Sequence, residues 1–225
     1  MSNLRDLPLF PLNTVLFPGQ AISLHIFEER YKLMINRCLE ENQPIGIVLI
    51  RQGQEVGEPA EPHNVGTVAT ILETERYENG ELDIIVVGQE RFTIHDILQY
   101  KPYIVGKVSP LNPIGHDTPR AWALAHRARE VLSKYIEALA DATGTFVQIV
   151  NVPDAPASVA FLVALALQVR HLERQELLGM ADIRDMLARE LVLLAREIAV
   201  WRYMLATQEH EKGREIGQFG HIAPN

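Results

Sequence analysis

The hydrophobic period changes three times along this chain, and each change predicts a change of element. Residues 7–19, LPLFPLNTVLFPG, carry seven large aliphatic or phenylalanine side chains and no charge. Pro8 and Pro11 cannot donate to a sheet ladder, so Leu7–Thr14 is expected to be an edge or bulged strand. Phe17-Pro18-Gly19 has a turn signature, with Gly19 free to take a positive φ. A second extended run, AISLHIF, follows. From Glu28 the spacing becomes helical, because Tyr31, Met34, Ile35, Cys38 and Leu39 recur at intervals of three and four. Glu28 and Glu29 suit the positive end of that helix, and Asn42 with Pro44 ends it.

The pattern then returns to strands. Ile45–Arg51 is a continuous apolar run of strand length, and the acidic segment QGQEVGEPAEPHN separates it from VGTVATILETERY. Glu78-Asn79-Gly80 marks a hairpin turn leading into ELDIIVVGQERFTIHDI, and YIVGKVSPL supplies one more strand. Six or so short strands with one early helix predict a strongly curved sheet or barrel over residues 1–115. Ile84–Val87, apolar on both faces, fits partial closure or a covering element.

After NPIGHDTP the pattern is helical to the end. Thr118 is a good N-cap before Pro119 at the first helical position, and Gly144 terminates that helix. VPDAPASVAFLVALALQVR predicts a helix behind Asp154, apolar nearly all round and so buried within a bundle. Arg174–Gly179 reads as a short helical turn. Asp182 is expected to cap a long helix in which Ile183, Leu187, Leu191, Leu194, Ile198, Trp201 and Leu205 form a heptad-like seam. The expected class is α+β: a barrel over 1–115, a helical bundle over 116–210 and a disordered tail over 211–225.

Composition agrees with a globular chain: 225 residues, 47% hydrophobic and 22% charged. The single cysteine, Cys38, excludes an intramolecular disulfide and a cysteine-built zinc site, and its place on an apolar helix face predicts a core residue. The N-terminal run is no secretion signal, because Arg5 is offset by Asp6 and prolines interrupt it. The longest apolar run, Ala157–Val169, falls short of the roughly 18 residues of a membrane span. A cytoplasmic protein with no membrane contact is expected. The net charge is −8, and residues 1–118 hold 9 basic against 16 acidic side chains. Such a front half repels a phosphate backbone, so nucleic acid is not an expected partner.

Catalytic motifs are missing. There is no G-x-x-x-x-G-K-[ST] loop, GREIGQFG has the wrong glycine spacing for a dinucleotide, and HEKGR lacks the second histidine of a zinc helix. None of the five serines lies in a G-x-S-x-G elbow, and Ser133 and Lys134 are neighbours that point to different helix faces. Glu28-Glu29 and Glu40-Glu41 read as solvated helix ends. The expectation is therefore no enzyme, no cofactor and no metal.

The ordered motifs resemble a known family. LPLFPLNTVLFPGQAISLHIFEERY is similar to the opening of the Lon protease amino-terminal, or substrate-binding, domain, which begins L-P-L and runs through F-P-G to an apolar strand and a helix. VGTVATILETERYENGELDIIVVGQERFTI resembles its second hallmark, with Val65, Gly66, Thr67, Ala69, Gly88, Arg91 and Ile94 as the matching residues. The Asp154 helix start, RQELLG and the helix from Asp182 resemble the attached bundle, so the likeness spans about residues 5–207. It implies a PUA-like pseudo-barrel joined to a bundle, and a role in recognising polypeptide. The ATPase and Ser-Lys protease modules of full Lon have no counterpart before Asn225. A stand-alone form is expected, to which unfolding and proteolysis do not carry over.

The leading expectation is a non-catalytic polypeptide-recognition module, an adaptor or regulator in protein quality control. A PUA-like RNA- or small-ligand-binding protein is the alternative, and an unrecognised hydrolase ranks last. Leu9, Leu12, Val15 and Leu16 are expected in the core, whereas Phe17, Phe27, Tyr31 and Tyr77 are the expected polypeptide contacts. Expected partners are unfolded or flexible polypeptides, with a protease or chaperone as a further candidate. A homo-oligomer through the helix 182–207 is equally open.

Overall fold

A strand with prolines at two positions must find neighbours that do not need those donors. The computed structural model describes residues 4–58, 60–144 and 152–218, with side chains placed through residue 207. In it β1 (Arg5–Leu12) pairs antiparallel with β6 (Ile104–Pro110) through residues 5–9 and parallel with β3 (Ile45–Gln52) through residues 9–12. The two pairings are staggered, so Pro8 faces only β6 and Pro11 only β3. The expected edge strand is therefore an interior one. The stagger lets it keep its prolines, since each removes at most one ladder bond.

The other strands are β2 (Ala21–Ile26), β4 (Glu61–Arg76) and β5 (Leu82–Gln99), in the order β2-β5-β4-β3-β1-β6. β5 also pairs with β6, so five strands form a closed circuit and β2 lies outside it. Register shifts in the β3–β4, β4–β5 and β5–β6 ladders supply the added twist that closure needs. The hairpin between β4 and β5 turns on Gly80 at φ +81°, as the Asn-Gly pair predicts. Helix α1 (Glu29–Glu40) buries Tyr31, Met34, Ile35 and Cys38 against Phe10, Ile26, Ile45 and Ile84. Burial pushes the Cys38 thiol up to about 11, so this side chain is an inert core residue.

Four helices follow: α2 (Pro119–Thr143), α3 (Pro156–Ala166), α4 (His171–Gly179) and α5 (Ile183–Gln218). The Thr118 hydroxyl accepts from the Ala121 amide at 3.2 Å, and Gly144 closes α2 at φ +66°. Asp154 does not cap α3; its carboxylate pairs instead with Arg129. Asp182 accepts from the Arg184 amide at 2.9 Å, and behind it Ile183, Leu187, Leu194 and Ile198 are buried along α5. Helix α5 continues to Gln218. Residues 219–225 and 145–151 lie outside the described residues.

Sheet and helices share one core, in which Val15, Phe17 and Leu49 join side chains from α2 to α5. Two arginines pin this seam, Arg91 buried and Arg174 half-buried. Arg91 on β5 donates to the carbonyls of Leu178 at 2.9 Å and Met180 at 2.6 Å, and lies 5.1 Å from the Phe161 ring centre. Arg174 on α4 donates to Ala164 at 3.0 Å and Leu167 at 3.2 Å, reaches the Val15 carbonyl at 3.4 Å, and covers the Phe17 ring at 5.0 Å. Burial lowers both pKa values, that of Arg91 to about 10, so both stay charged at neutral pH. Neither pairs with a carboxylate among the described residues. Their partners are the last carbonyls of α3 and α4, where the helix dipole is negative.

Glu190 is the opposite case. It is fully buried on α5, and neither carboxyl oxygen has a hydrogen-bond partner. Desolvation raises its pKa well above the ordinary carboxylate range, so it is held neutral.

Two predictions follow from these groups. Arg91→Ala and Arg174→Ala should each cost about 2–4 kcal/mol of stability in urea unfolding, because they orphan buried carbonyls as well as removing charge-assisted bonds. The unfolded chain ionises Glu190 above its ordinary pKa while the folded chain does not, so this penalty grows as pH rises toward the folded value. Glu190→Gln should therefore stabilise the protein more at pH 8 than at pH 5, and an equal effect at both would refute the assignment.

Candidate functional site

Strand β2, the β4–β5 hairpin and the first turn of α1 bring aromatic and acidic side chains together. His25 on β2 lies opposite Asp83 on β5 in the ladder register. Its Nδ1 is 2.6 Å from Asp83 Oδ1, and its Nε2 is 3.3 Å from Glu81 Oε2. The Tyr77 hydroxyl donates to the other Asp83 oxygen at 2.7 Å. With both ring nitrogens facing carboxylates, the charged imidazolium is favoured. The Asp83 hydrogen bond chiefly raises the His25 pKa, and the bonds from His25 and Tyr77 hold Asp83 below the usual carboxylate range. The same bond to Asp83 pushes Tyr77 up to about 12.

Apolar surface surrounds this clamp. The His25 ring stacks with Phe27 at 6.0 Å between centres and meets Tyr77 edge-on at 6.4 Å. Phe27 is 47% exposed and Tyr77 41%. Two hollows meet at His25. A groove of about 480 Å³ crosses β2, β5 and β4 past Leu24, Glu73, Glu75 and Asp83. A cleft of about 80 Å³ is lined by Phe10, Leu12, Phe27, Tyr31, Glu55 and Val56. Carboxylates therefore rim an aromatic surface, an arrangement that attracts apolar side chains and cations. Among the described residues no group of three or more His, Cys, Asp or Glu is placed to hold a metal ion.

The four expected contact residues divide. Phe27 and Tyr77 sit together on the surface. Tyr31 is 5% exposed, because its ring packs 4.2 Å from Phe10 and forms the floor of the cleft. Phe17 is fully buried, which corrects its reading as an exposed turn residue. The turn folds back onto the sheet: the Gly19 amide donates to the Gly88 carbonyl at 2.8 Å, and the Gly88 amide to Gln20 at 2.9 Å. Gly19, at φ +82°, makes the bulge that this return requires, and the Phe17 ring enters the seam under Arg174. His25 and Asp83 escaped sequence reading because their meeting depends on the β2–β5 register. The alternation in AISLHI does turn His25 outward, and that was the available signal.

A family model described as the ATP-dependent protease La (LON) substrate-binding domain matches residues 6–196. The chain belongs to the Lon substrate-binding domain family. It is 31% identical over 202 residues to Lon protease 2 of Herpetosiphon aurantiacus, covering 87% of this chain and 24% of that protein. With the Lon protease of Anaeromyxobacter dehalogenans it shares 25% over 194 residues, or 85% and 23% of the two chains. The chain thus spans about a quarter of the length of these curated relatives. A crystal structure of a Lon N-terminal domain protein from Xanthomonas campestris superposes with TM-score 0.63 at 27% identity, covering 84% of this chain and 98% of that one. The N-terminal domain of the Mycobacterium avium complex Lon protease gives TM-score 0.64 at 16% identity, over 85% and 98%, a likeness of fold.

Three of the residues matching the second Lon-type segment, Thr67, Gly88 and Arg91, serve the seam. The Thr67 hydroxyl, fully buried, donates to the Leu16 carbonyl at 2.5 Å. A Cβ on Gly88 would collide with the Phe17 carbonyl oxygen, so only glycine admits the returning turn. Arg91 pins the helices. These three residues are architectural, whereas Phe27 and Tyr77, which lie within the two Lon-type segments, carry the exposed aromatic surface.

The His25 clamp has a pH signature. Its raised pKa means that its contribution is fully present below about 6.5 and is lost as pH rises through the folded value. In an NMR titration the His25 ring should titrate above the ordinary histidine range, and Asp83→Asn should bring it back. An ordinary value in the unsubstituted protein would refute the clamp.

Proposed function

We propose that this Lon-family domain is a non-catalytic polypeptide-recognition module that holds unfolded or flexible segments, as an adaptor or regulator in protein quality control. The observation that carries this reading is the solvent-facing pair Phe27 and Tyr77 beside an acid-rimmed apolar cleft, in a chain matched to a substrate-binding domain. Burying exposed aromatic rings against an unfolded client's apolar side chains supplies the attraction. Folded proteins have few such groups to offer.

In this reading the closed circuit of β1, β3, β4, β5 and β6 is a PUA-like pseudo-barrel, with residues 1–115 as the binding unit and 116–210 as its helical support. The setting is cytoplasmic, with a protease or chaperone as the receiving partner. The exposed outer face of α5, including Val192, Val200 and Tyr203, is available to that partner or to a second copy. The acidic rim speaks against RNA.

Reduced, unfolded client should bind more tightly than the same client in its native form, measured by anisotropy with a labelled client. Replacing Phe27 and Tyr77 together by alanine should weaken that binding about tenfold and leave stability nearly unchanged. Phe17→Ala should do the reverse, lowering stability by about 3–5 kcal/mol through the cavity left in the seam. Equal affinity for folded and unfolded client would sink the proposal.

A further inference from the structure

Strand β2 is the one strand with a single neighbour among the described residues. It pairs with β5 over six consecutive positions without a register shift, and its Ile22, Leu24 and Ile26 face the core beneath the sheet. The Gly88-to-Gln20 hydrogen bond sets the phase of that ladder. Bonded and non-bonded pairs alternate in antiparallel sheets, so Ile22, Leu24 and Ile26 spend their backbone groups on β5. Ala21, Ser23 and His25 turn their N–H and C=O groups outward. Sheets usually blunt such an edge with proline, lysine or a bulge. AISLHI contains no proline or lysine, and the bulge at Gly19 precedes it.

We infer that this open edge takes an extended polypeptide segment as an added strand, with lysine or arginine among its apolar residues. The inference rests on the polypeptide-binding reading above and names both the surface and the class of segment. A row of outward amides and carbonyls is matched in spacing by another extended backbone, whereas nucleic acid and small ligands lack that repeat. The two hollows that meet at His25 then take different side chains. The groove, where Glu73 and Glu75 have no ion-pair partner among the described residues, takes a cation; the cleft of Phe10, Leu12, Phe27 and Val56 takes an apolar group. Charge also decides against a second copy as the occupant. Pairing β2 with β2 would bring two carboxylate rims together in a chain that already carries −8.

The probe is an acetylated, fluorescent peptide of about eight residues that alternates lysine or arginine with leucine, valine or phenylalanine. Single N-methyl groups placed along it remove one backbone donor at a time without touching the protein. Methylation should weaken binding about tenfold at alternate positions only, and exchanging the basic residues for glutamate should weaken it at least as much. Ser23→Pro deletes an outward donor on an edge that tolerates proline, so it should lose peptide binding while unfolding at the same urea concentration as the parent. An N-methyl scan that is flat would overturn the edge assignment, as would dimerisation in sedimentation that Ser23→Pro abolishes. If unfolded clients still bind in either case, the recognition reading survives and only the edge falls. If neither client nor peptide binds the unsubstituted protein, both fall.

Discussion

Two guanidinium groups, neither paired with a carboxylate among the described residues, hold the helices to the sheet. Burying a charge is unfavourable unless its hydrogen-bonding capacity is met, and a carboxylate is the usual answer. Here the answer is the carbonyl-rich ends of two helices. Arg174 collects the end of α3 and Arg91 the end of α4. The helix ends would otherwise carry orphan acceptors at the seam, and the arginines would carry orphan donors. Each offsets part of the other's cost, the Arg91 Nη2 keeping no partner among the described residues, so the helices cannot leave the sheet without exposing two unmet requirements at once. Gln175 adds a third pin, donating to the Val65 carbonyl at 2.9 Å.

That seam explains why the N-terminal segment is so apolar. Val15, Leu16 and Phe17 do not advertise a surface; they pass between sheet and bundle, tied down by Thr67 and roofed by Arg174. The binding surface lies elsewhere, where β2 projects from the closed circuit. The acidic side chains of the front half are concentrated around it by the β4–β5 hairpin and the segment before β4. The His25 imidazole stands among them, and it ties β2 to the hairpin from outside the backbone ladder.

Local signals were legible in the sequence where one residue acts on its own backbone. Thr118, Gly144, Asp182 and Asn79-Gly80 are of that kind, and so is the periodicity of α1 and α5. Position in space was legible only where the period was clean. Phe17 looks like a turn-tip side chain until Gly88 is seen to draw its carbonyl against β5, a contact set by residues distant in sequence. Asp154 looks like a cap until Arg129 claims it. Prolines argued for an edge strand because a staggered pair of neighbours leaves no trace in a linear pattern. His25 with Asp83 was invisible for the same reason, whereas Phe27, followed by Glu28 and Glu29, and Tyr77, between Arg76 and Glu78, were readable as surface.

The pairing of Arg5 with Val108 has a bearing on how the chain is made. While the ribosome is still producing β3 to β5, the apolar first strand has no β6 to join and must wait beside other unfinished chains. A hydrophobic ribbon in that position invites cross-pairing with its neighbours, unless something makes it a poor template. Pro8 and Pro11 do so, because each removes an amide that an unstaggered neighbour would use. The same residues that complicate the native sheet guard the nascent polypeptide against premature association.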